Sequence, residues 1–275
     1  MADDRPAFAD LERPPLDEKF LRGRLVRPGG LWTQIDVLTE TPSTNAVLAA
    51  AARAGAPEGL VATAEYQSSG RGRLGRTWTT PPRSALLTSV LLRPTTVPAA
   101  RWPWLGLLVS LAVTSAVRRV AEIPAQVKWP NDVLVEDRKL AGILLERVEG
   151  PAAIVGMGLN VTLRADERPH PGATSLALEG AATTDRVTVL AAVLRELAVR
   201  YQEWVAAAGD PAVILPDYQG LSATIGRPVR VELPDGKFLE GTATGLDTDG
   251  RLLVDAADGQ HALAAGDVTH LRTSE

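Results

Sequence analysis

Apolar positions along this chain follow two rhythms, and the change from one to the other divides it. Residues 32–38 read as a strand. Ser43-Thr44-Asn45 then opens an alanine-rich helix that runs to about residue 54, where Gly55 and Pro57 stop it. Residues 60–66 and 85–92 are short apolar strands on either side of a loop rich in glycine and arginine. A helix with a continuous apolar face is expected over 101–120. Strands are expected over 126–135 and 140–147, joined by a turn through Glu136-Asp137-Arg138-Lys139, with another strand over 153–163. Residues 188–208 form a long amphipathic helix with Leu190, Leu194, Leu197 and Tyr201 on one stripe. Residues 1–20 carry Pro6, Pro14, Pro15 and many charges, and read as a poorly ordered lead-in with a short helix near 17–25.

After about Ser222 the rhythm shortens. Segments 229–233, 239–246, 252–256 and 261–264 are separated by Pro-Asp-Gly, Asp-Thr-Asp-Gly and Ala-Asp-Gly, which are hairpin signals at regular spacing. The expected organisation is a poorly ordered or helical lead-in over 1–30, an α/β domain over 31–221 and a small β-barrel over 222–275. Arg272 reads as a solvated tail residue.

Composition narrows the function classes. At 275 residues and 45% hydrophobic content the chain can bury a large core and a small one. Its 33 acidic and 29 basic residues leave a net charge of −4, which argues against broad nucleic-acid binding. With no cysteine there is no disulfide, thiolate metal site or thiol catalysis. His170, His261 and His270 follow no metal-ligand spacing. No signal peptide or membrane-spanning run is visible, so a soluble, cytoplasmic protein is expected.

Against that acidic background, Gly70-Arg71-Gly72-Arg73-Leu74-Gly75-Arg76 stands out, closed by Thr77-Trp78. Glycine lets backbone come close to a ligand, and arginine presents a fixed fork of donors that matches carboxylate and phosphate. A mobile, cationic loop of this kind suits a small anion, although a solvated basic turn has the same composition. Four further motifs accompany it. Ser43-Thr44-Asn45 is either a helix cap or a set of donors and acceptors for a polar heterocycle. Lys128-Trp129-Pro130-Asn131-Asp132 is either a strand end with a turn or a functional cluster, since polar groups packed into an apolar region are costly unless each finds a partner. Lys139-Leu140-Ala141-Gly142-Ile143-Leu144-Leu145-Glu146 and Gly156-Met157-Gly158-Leu159-Asn160 place glycines inside strands, a sign of close approach by a ligand.

The order and combination of these motifs, with Gln67 before the loop and Ala173-Thr174-Ser175-Leu176 after it, resemble the biotin protein ligases over about residues 31–272. The resemblance implies an α+β fold: a mixed-sheet catalytic domain of the class II synthetase/biotin ligase type with a small C-terminal SH3-like β-barrel. It implies a two-step reaction. Biotin carboxylate attacks the α-phosphate of ATP to give biotinyl-5′-AMP and pyrophosphate. A lysine of a biotin carboxyl carrier domain then attacks the acyl carbon and releases AMP. Carried over by motif, Lys139 and Arg73 are the catalytic candidates. Ser43, Thr44, Asn45, Gln67, Gly70, Arg71, Gly72, Arg73, Lys139 and Gly142 are the biotin candidates. Arg71, Arg73, Arg76, Trp78, Lys128, Asn131, Lys139 and Asn160 are the ATP and adenylate candidates, with Gly158 giving close backbone approach. Mg²⁺ is expected with the ATP phosphates, with Asp132 as a candidate ligand. The Gly/Arg loop is expected to order when ligand binds.

Some members of that family carry an N-terminal helix-turn-helix domain and act as repressors. About thirty residues precede the catalytic domain here, so no DNA binding is expected. The resemblance allows a monomer or an adenylate-induced homodimer. Two other readings remain open: a lipoate or octanoyl ligase on the same fold, and a non-catalytic biotin-binding regulator.

Overall fold

The computed structural model describes residues 13–271, Pro234 apart. The poorly ordered reading of residues 1–12 and the tail reading of Arg272 lie outside these described residues. Residues 13–30, expected as part of a poorly ordered or helical lead-in with a helix near 17–25, contain that helix and pack on the domain. Helix α1 (Glu18–Leu25) is capped by the Asp17 carboxylate and buries Leu21 and Leu25. Its polar face covers the edge of strand β1 (Gln34–Leu38): Arg22 donates to the Ile35 carbonyl at 2.6 Å, and Glu18 accepts from the Val37 amide at 3.0 Å.

The chain continues through α2 (Thr44–Arg53), β2 (Leu60–Ala64), β3 (Ala85–Leu92), α3 (Trp104–Val120), β4 (Ala125–Lys128), β5 (Asp132–Val135), β6 (Arg138–Val148), β7 (Ala152–Asn160), α4 (Arg186–Ala206) and α5 (Leu215–Gly220). Seven strands form one sheet in the order β1-β2-β3-β7-β6-β5-β4, with β1 and β2 parallel and the other pairs antiparallel. Alternation along the strands sends residues to two faces. Leu86, Val90, Val155, Met157 and Leu159 join the main core with α3 and α4, whereas Leu91, Ala62 and Ile154 pack beneath α2 with Leu48 and Ala52. The α2 face is the one that also carries Ser89, Gly156 and Gly158.

One expected strand is two. Residues 126–135 break at Trp129-Pro130-Asn131, and β4 turns back on β5 with Lys128 opposite Asp132. Proline lacks the N–H that a central strand needs. The Trp129 indole N–H leaves this sheet to donate to the Gly250 carbonyl at 3.1 Å. The turn expected before Lys139 is present, with Val135 opposite Arg138.

The C-terminal strands are β8 (Pro228–Glu232), β9 (Phe238–Leu246), β10 (Leu252–Ala256), β11 (Gly259–Leu263) and β12 (Asp267–His270), the last of which sequence periodicity did not separate. They make an antiparallel sheet in the order β11-β10-β9-β8-β12. They form the small C-terminal β domain expected; among the described residues β11 and β12, at its two ends, do not pair with each other. Its inward residues Val229, Val231, Ala243, Leu252, Val254 and Val268 are continuous with the main core. No helix of the described residues is long and apolar enough to cross a membrane.

Candidate active site

A cleft of about 540 Å³ opens where the α2 face of the large sheet meets the Gly/Arg loop and β12. Lys139 reaches it through an irregularity in β6. Val133 pairs with Ala141 but Leu134 pairs with Lys139, so Leu140 is an extra residue on the bulged strand. In a regular strand, residues three apart face opposite sides. The bulge brings Lys139 to the side of Gly142: a Cβ on Gly142 would lie 3.3 Å from Lys139 Nζ, while Leu140 is buried in the core. The Lys139 backbone is held by the 172–174 segment, its amide donating to Gly172 at 2.7 Å and its carbonyl accepting from Thr174 at 2.9 Å. Its ammonium pairs with Asp132 at 2.7 Å and sits 5.6 Å from the Trp78 ring centroid.

The loop, expected to be mobile, is a structured hairpin in this form. Trp78 N donates to Gly70 O at 2.9 Å, Gly72 N donates to Arg76 O at 2.7 Å, and Arg71 bridges Thr77. Gly70 is required at the neck, because a Cβ there would fall 2.3 Å from the Trp78 carbonyl oxygen. At the tip, Leu74 and Gly75 take positive φ. Each arginine has a partner. Arg71 reaches Glu146 at 3.3 Å, Arg73 donates to Asn131 Oδ1 at 2.9 Å, and Arg76 pairs with Asp267 on β12. The bond from Arg76 holds the Asp267 carboxyl below the usual carboxylate range. Burial pulls the Arg73 pKa down, against the carboxylates of Asp132 and Asp267.

At the other end of the cleft Ser43 stands at the N-cap of α2 without capping it. The Thr44 backbone N–H donates to Gln67 Oε1 at 2.7 Å. Ser89 Oγ donates to Asn45 Oδ1 at 2.6 Å, so at 2.7 Å the Thr44 hydroxyl donates its one hydrogen to Ser89 Oγ, with Gln67 Oε1 3.0 Å away. Asn45 Nδ2 in turn donates to Glu146 at 2.6 Å. The Asn45 amide is therefore satisfied within the protein. The Ser43 hydroxyl and the Gln67 Nε2 group make no hydrogen bond among the described residues and face the cleft.

The strand glycines admit protein groups rather than open space. A Cβ on Gly156 would lie 2.2 Å from Asn45 Oδ1, and one on Gly158 would lie 2.4 Å from Trp78 Cε2. The close approach expected for a ligand at Gly142 and Gly158 is made by the Trp78 indole, so this ring forms the cleft floor. Asn160 donates Nδ2 to Thr174 O at 2.8 Å and leaves Oδ1 buried without a partner. Asn131 is occupied at both ends, since it also donates to Ile143 O at 3.0 Å. Lys128 makes neither an ion pair nor a hydrogen bond among the described residues, and burial lowers its pKa. Behind it, Arg227 donates to His270 Nδ1 at 3.2 Å, which leaves Nε2–H to donate to Thr224 Oγ1 at 3.3 Å; that oxygen also accepts from Trp129 N. Burial, helped by Lys128 and Arg227, pushes the His270 pKa down to about 4.

Asp132 is no metal cage. Its carboxylate is matched to Lys139, and the described residues contain no cluster of three His, Cys, Asp or Glu able to hold an ion. That donor set fits no resident metal; an ion carried on phosphates needs no such cluster.

Sequence reasoning missed Ser89, Glu146 and Asp267 as partners of the site. Ser89, beside Thr88 in an otherwise apolar and fully buried strand, carried a readable signal. Glu146 and Asp267 carried none, as a carboxylate near a strand end is ordinarily a solvated flank.

The chain matches the Biotin/lipoate A/B protein ligase family over residues 37–161 and the Biotin protein ligase C terminal domain over residues 224–271. It is 45% identical to the biotin--[acetyl-CoA-carboxylase] ligase of Mycobacterium tuberculosis over 96% of this chain and 98% of that one. It is 32% identical to the bifunctional ligase/repressor BirA of Bacillus subtilis over 85% of this chain and 72% of that protein. Among solved structures, the biotin protein ligase from Aquifex aeolicus in complex with biotin and ATP superposes with a TM-score of 0.72. That pair is 27% identical and covers 88% of this chain and all of the other. The Leishmania major enzyme in complex with biotinyl-5-AMP gives a TM-score of 0.60 at 27% identity, covering 85% of this chain and 99% of that one.

Proposed function

The chain belongs to the Biotin/lipoate A/B protein ligase family, and from that premise we propose that it is an ATP-dependent biotin protein ligase. It forms biotinyl-5′-AMP from biotin and ATP, then transfers the biotinyl group to a lysine of a biotin carboxyl carrier domain. The observation that carries this reading is the charge of the cleft. Five cations, Arg71, Arg73, Arg76, Lys128 and Lys139, line it against three carboxylates, Asp132, Asp137 and Asp267, in a protein of net charge −4, and Lys128 makes no ion pair or hydrogen bond among the described residues.

Joining a carboxylate to a phosphate brings two anions together, and fixed donors aimed at the developing charge are the main means of doing so. Lys139 stands at the junction of the polar end and the cationic end, where it neutralises carboxylate and α-phosphate. Asp132 orients its ammonium until the anions arrive. Lys128 faces the departing pyrophosphate. Arg73, positioned by Asn131, closes over the adenylate and keeps it from water. The Ser43 hydroxyl and Gln67 Nε2 recognise the ureido ring, and Trp78 lies beneath the bound ligand. Asn160 Oδ1, an orphan acceptor, takes a hydrogen bond from the adenine amine. Mg²⁺ arrives on the ATP phosphates, and no step here is routed through it.

Residues 31–221 carry this chemistry, and 222–275 contribute Asp267 to the loop. The macromolecular partner is a carrier domain rather than nucleic acid, in keeping with the net charge of −4. A cytoplasmic setting supplies ATP and the carboxylases. Of the two oligomeric forms, the cover of α1 over the β1 edge favours the monomer at that edge.

The test is biotin-dependent exchange of labelled pyrophosphate into ATP. Exchange that requires biotin and Mg²⁺ and falls by a factor of about 10² or more in Lys139→Ala supports the assignment. Exchange with lipoate or octanoate but not biotin moves the chain to the sister activity. A dithiolane would leave Ser43 and Gln67 unpaired, which costs affinity.

A further inference from the structure

Glu146 lies outside the cleft wall yet touches both of its ends. One carboxylate accepts from Asn45 Nδ2 at 2.6 Å and from Arg71 Nη2 at 3.3 Å. Asn45 belongs to the first turn of α2 and Arg71 to the Gly/Arg loop, so residues 101 and 75 positions away in sequence meet on one side chain. The first contact fixes the Asn45 amide, because the other end of that amide already accepts from Ser89 and the whole group is seated in the space that Gly156 leaves. Ser89 in turn accepts from the Thr44 hydroxyl, and the Thr44 backbone N–H donates to Gln67 Oε1, which sets the direction of the free Gln67 Nε2.

We infer that Glu146 is a positioning residue that couples closure of the Gly/Arg loop to the polar end of the ligand pocket. The inference rests on the ligase reading above. A ligand that draws on Gln67 and Thr44 tightens the network that ends at Glu146, and Glu146 then offers a fixed, charged acceptor to Arg71. The loop closes on a pocket whose polar end is already aligned. Arg71 is half exposed and 3.3 Å from its partner, so the static pair adds little stability by itself. Its role is to link two events.

Four full-length variants test this: Glu146→Ala, Glu146→Gln, Arg71→Ala and the double Glu146→Ala/Arg71→Ala. The measurements are KM and kcat for biotin in pyrophosphate exchange, the rate at which a preformed adenylate leaves the enzyme, and the melting temperature. Glu146→Ala is expected to raise KM for biotin about tenfold while kcat stays within about twofold. Glu146→Gln keeps an acceptor for Asn45 and holds KM within about threefold, but releases adenylate as fast as Arg71→Ala. The double variant releases it no faster than the worse single one, the mark of two groups on one path. Losses that multiply in the double variant, or unchanged KM and retention in Glu146→Ala, overturn the coupling. So does a rise of KM together with a fall of kcat and melting temperature in Glu146→Gln, which marks a purely structural residue. Absence of biotin-dependent exchange in the unmodified chain overturns the ligase reading itself, and the coupling with it.

Discussion

A single methyl group at Gly158 probes whether the Trp78 ring is the floor of the ligand site. The Cβ of Gly158→Ala would sit 2.4 Å from Trp78 Cε2 and 2.7 Å from Cζ2 and Nε1. Carbon atoms in good contact are about 3.5–4.0 Å apart, so the ring must move by more than about 1 Å. It cannot retreat with its backbone. Trp78 N is bonded to Gly70 O at 2.9 Å, and Gly70 is itself packed against the Trp78 carbonyl. The indole must therefore swing into the cleft. Overpacking of this kind costs about 1–3 kcal/mol, which as lost ligand affinity is roughly 5- to 150-fold. Calorimetric titration with biotin and KM for biotin in pyrophosphate exchange both read this loss. Gly142→Ala is the milder control, since its Cβ would meet Trp78 Cζ3 at 3.0 Å and the flexible Lys139 Cε at 3.2 Å. Replacing Trp78 with Phe in the Gly158→Ala background frees the space and recovers part of the affinity. Biotin binding by Gly158→Ala within about twofold of the unmodified chain would refute the placement of the ring.

Three further outcomes are expected. Arg73→Gly removes the guanidinium that Asn131 positions over the cleft, and labelling of bystander lysines on an unrelated protein rises; unchanged selectivity in a biotinylation blot counts against its retaining role. Glu65→Ala strands the buried Arg186, which donates to Glu65 at 2.6 Å, and frees the Leu16 amide that donates to the same carboxylate. Urea unfolding should show a loss of about 3–5 kcal/mol, and a loss under about 1 kcal/mol contradicts it. His270, held near pKa 4 when folded, binds its proton more tightly in the unfolded chain. Its contribution to stability is full above about pH 6.5 and declines as pH falls towards 4, by at most about 1.4 kcal/mol per pH unit. Urea midpoints between pH 7 and pH 4 should fall less steeply in His270→Gln.

Much of the fold was legible because its determinants are local. The alanine-rich run after Ser43, the strand over 85–92 and the Asp-Gly turns after Ser222 each follow from backbone preferences within a few residues. The cleft's membership was legible too, because cations, glycines and amides were concentrated in five short motifs. Apolar periodicity runs straight across the break at Trp129-Pro130-Asn131, from Val127 to Val133, and Pro130 alone marks it, as a residue that cannot donate to a strand ladder. No local signal announces the bulge at Leu140, which arises from pairing β6 against β5 and turns Lys139 into the cleft. The sequence by itself determined which motifs supply the cations, glycines and amides that line the cleft. Tertiary structure alone decided their partners: Arg76 with Asp267 across 191 residues, Asn45 with Glu146 across 101, and Trp78 against Gly158. Backbone propensity acts within a turn of helix or a strand pair. The matching of one charge or ring to its neighbour is fixed only when packing brings distant segments together.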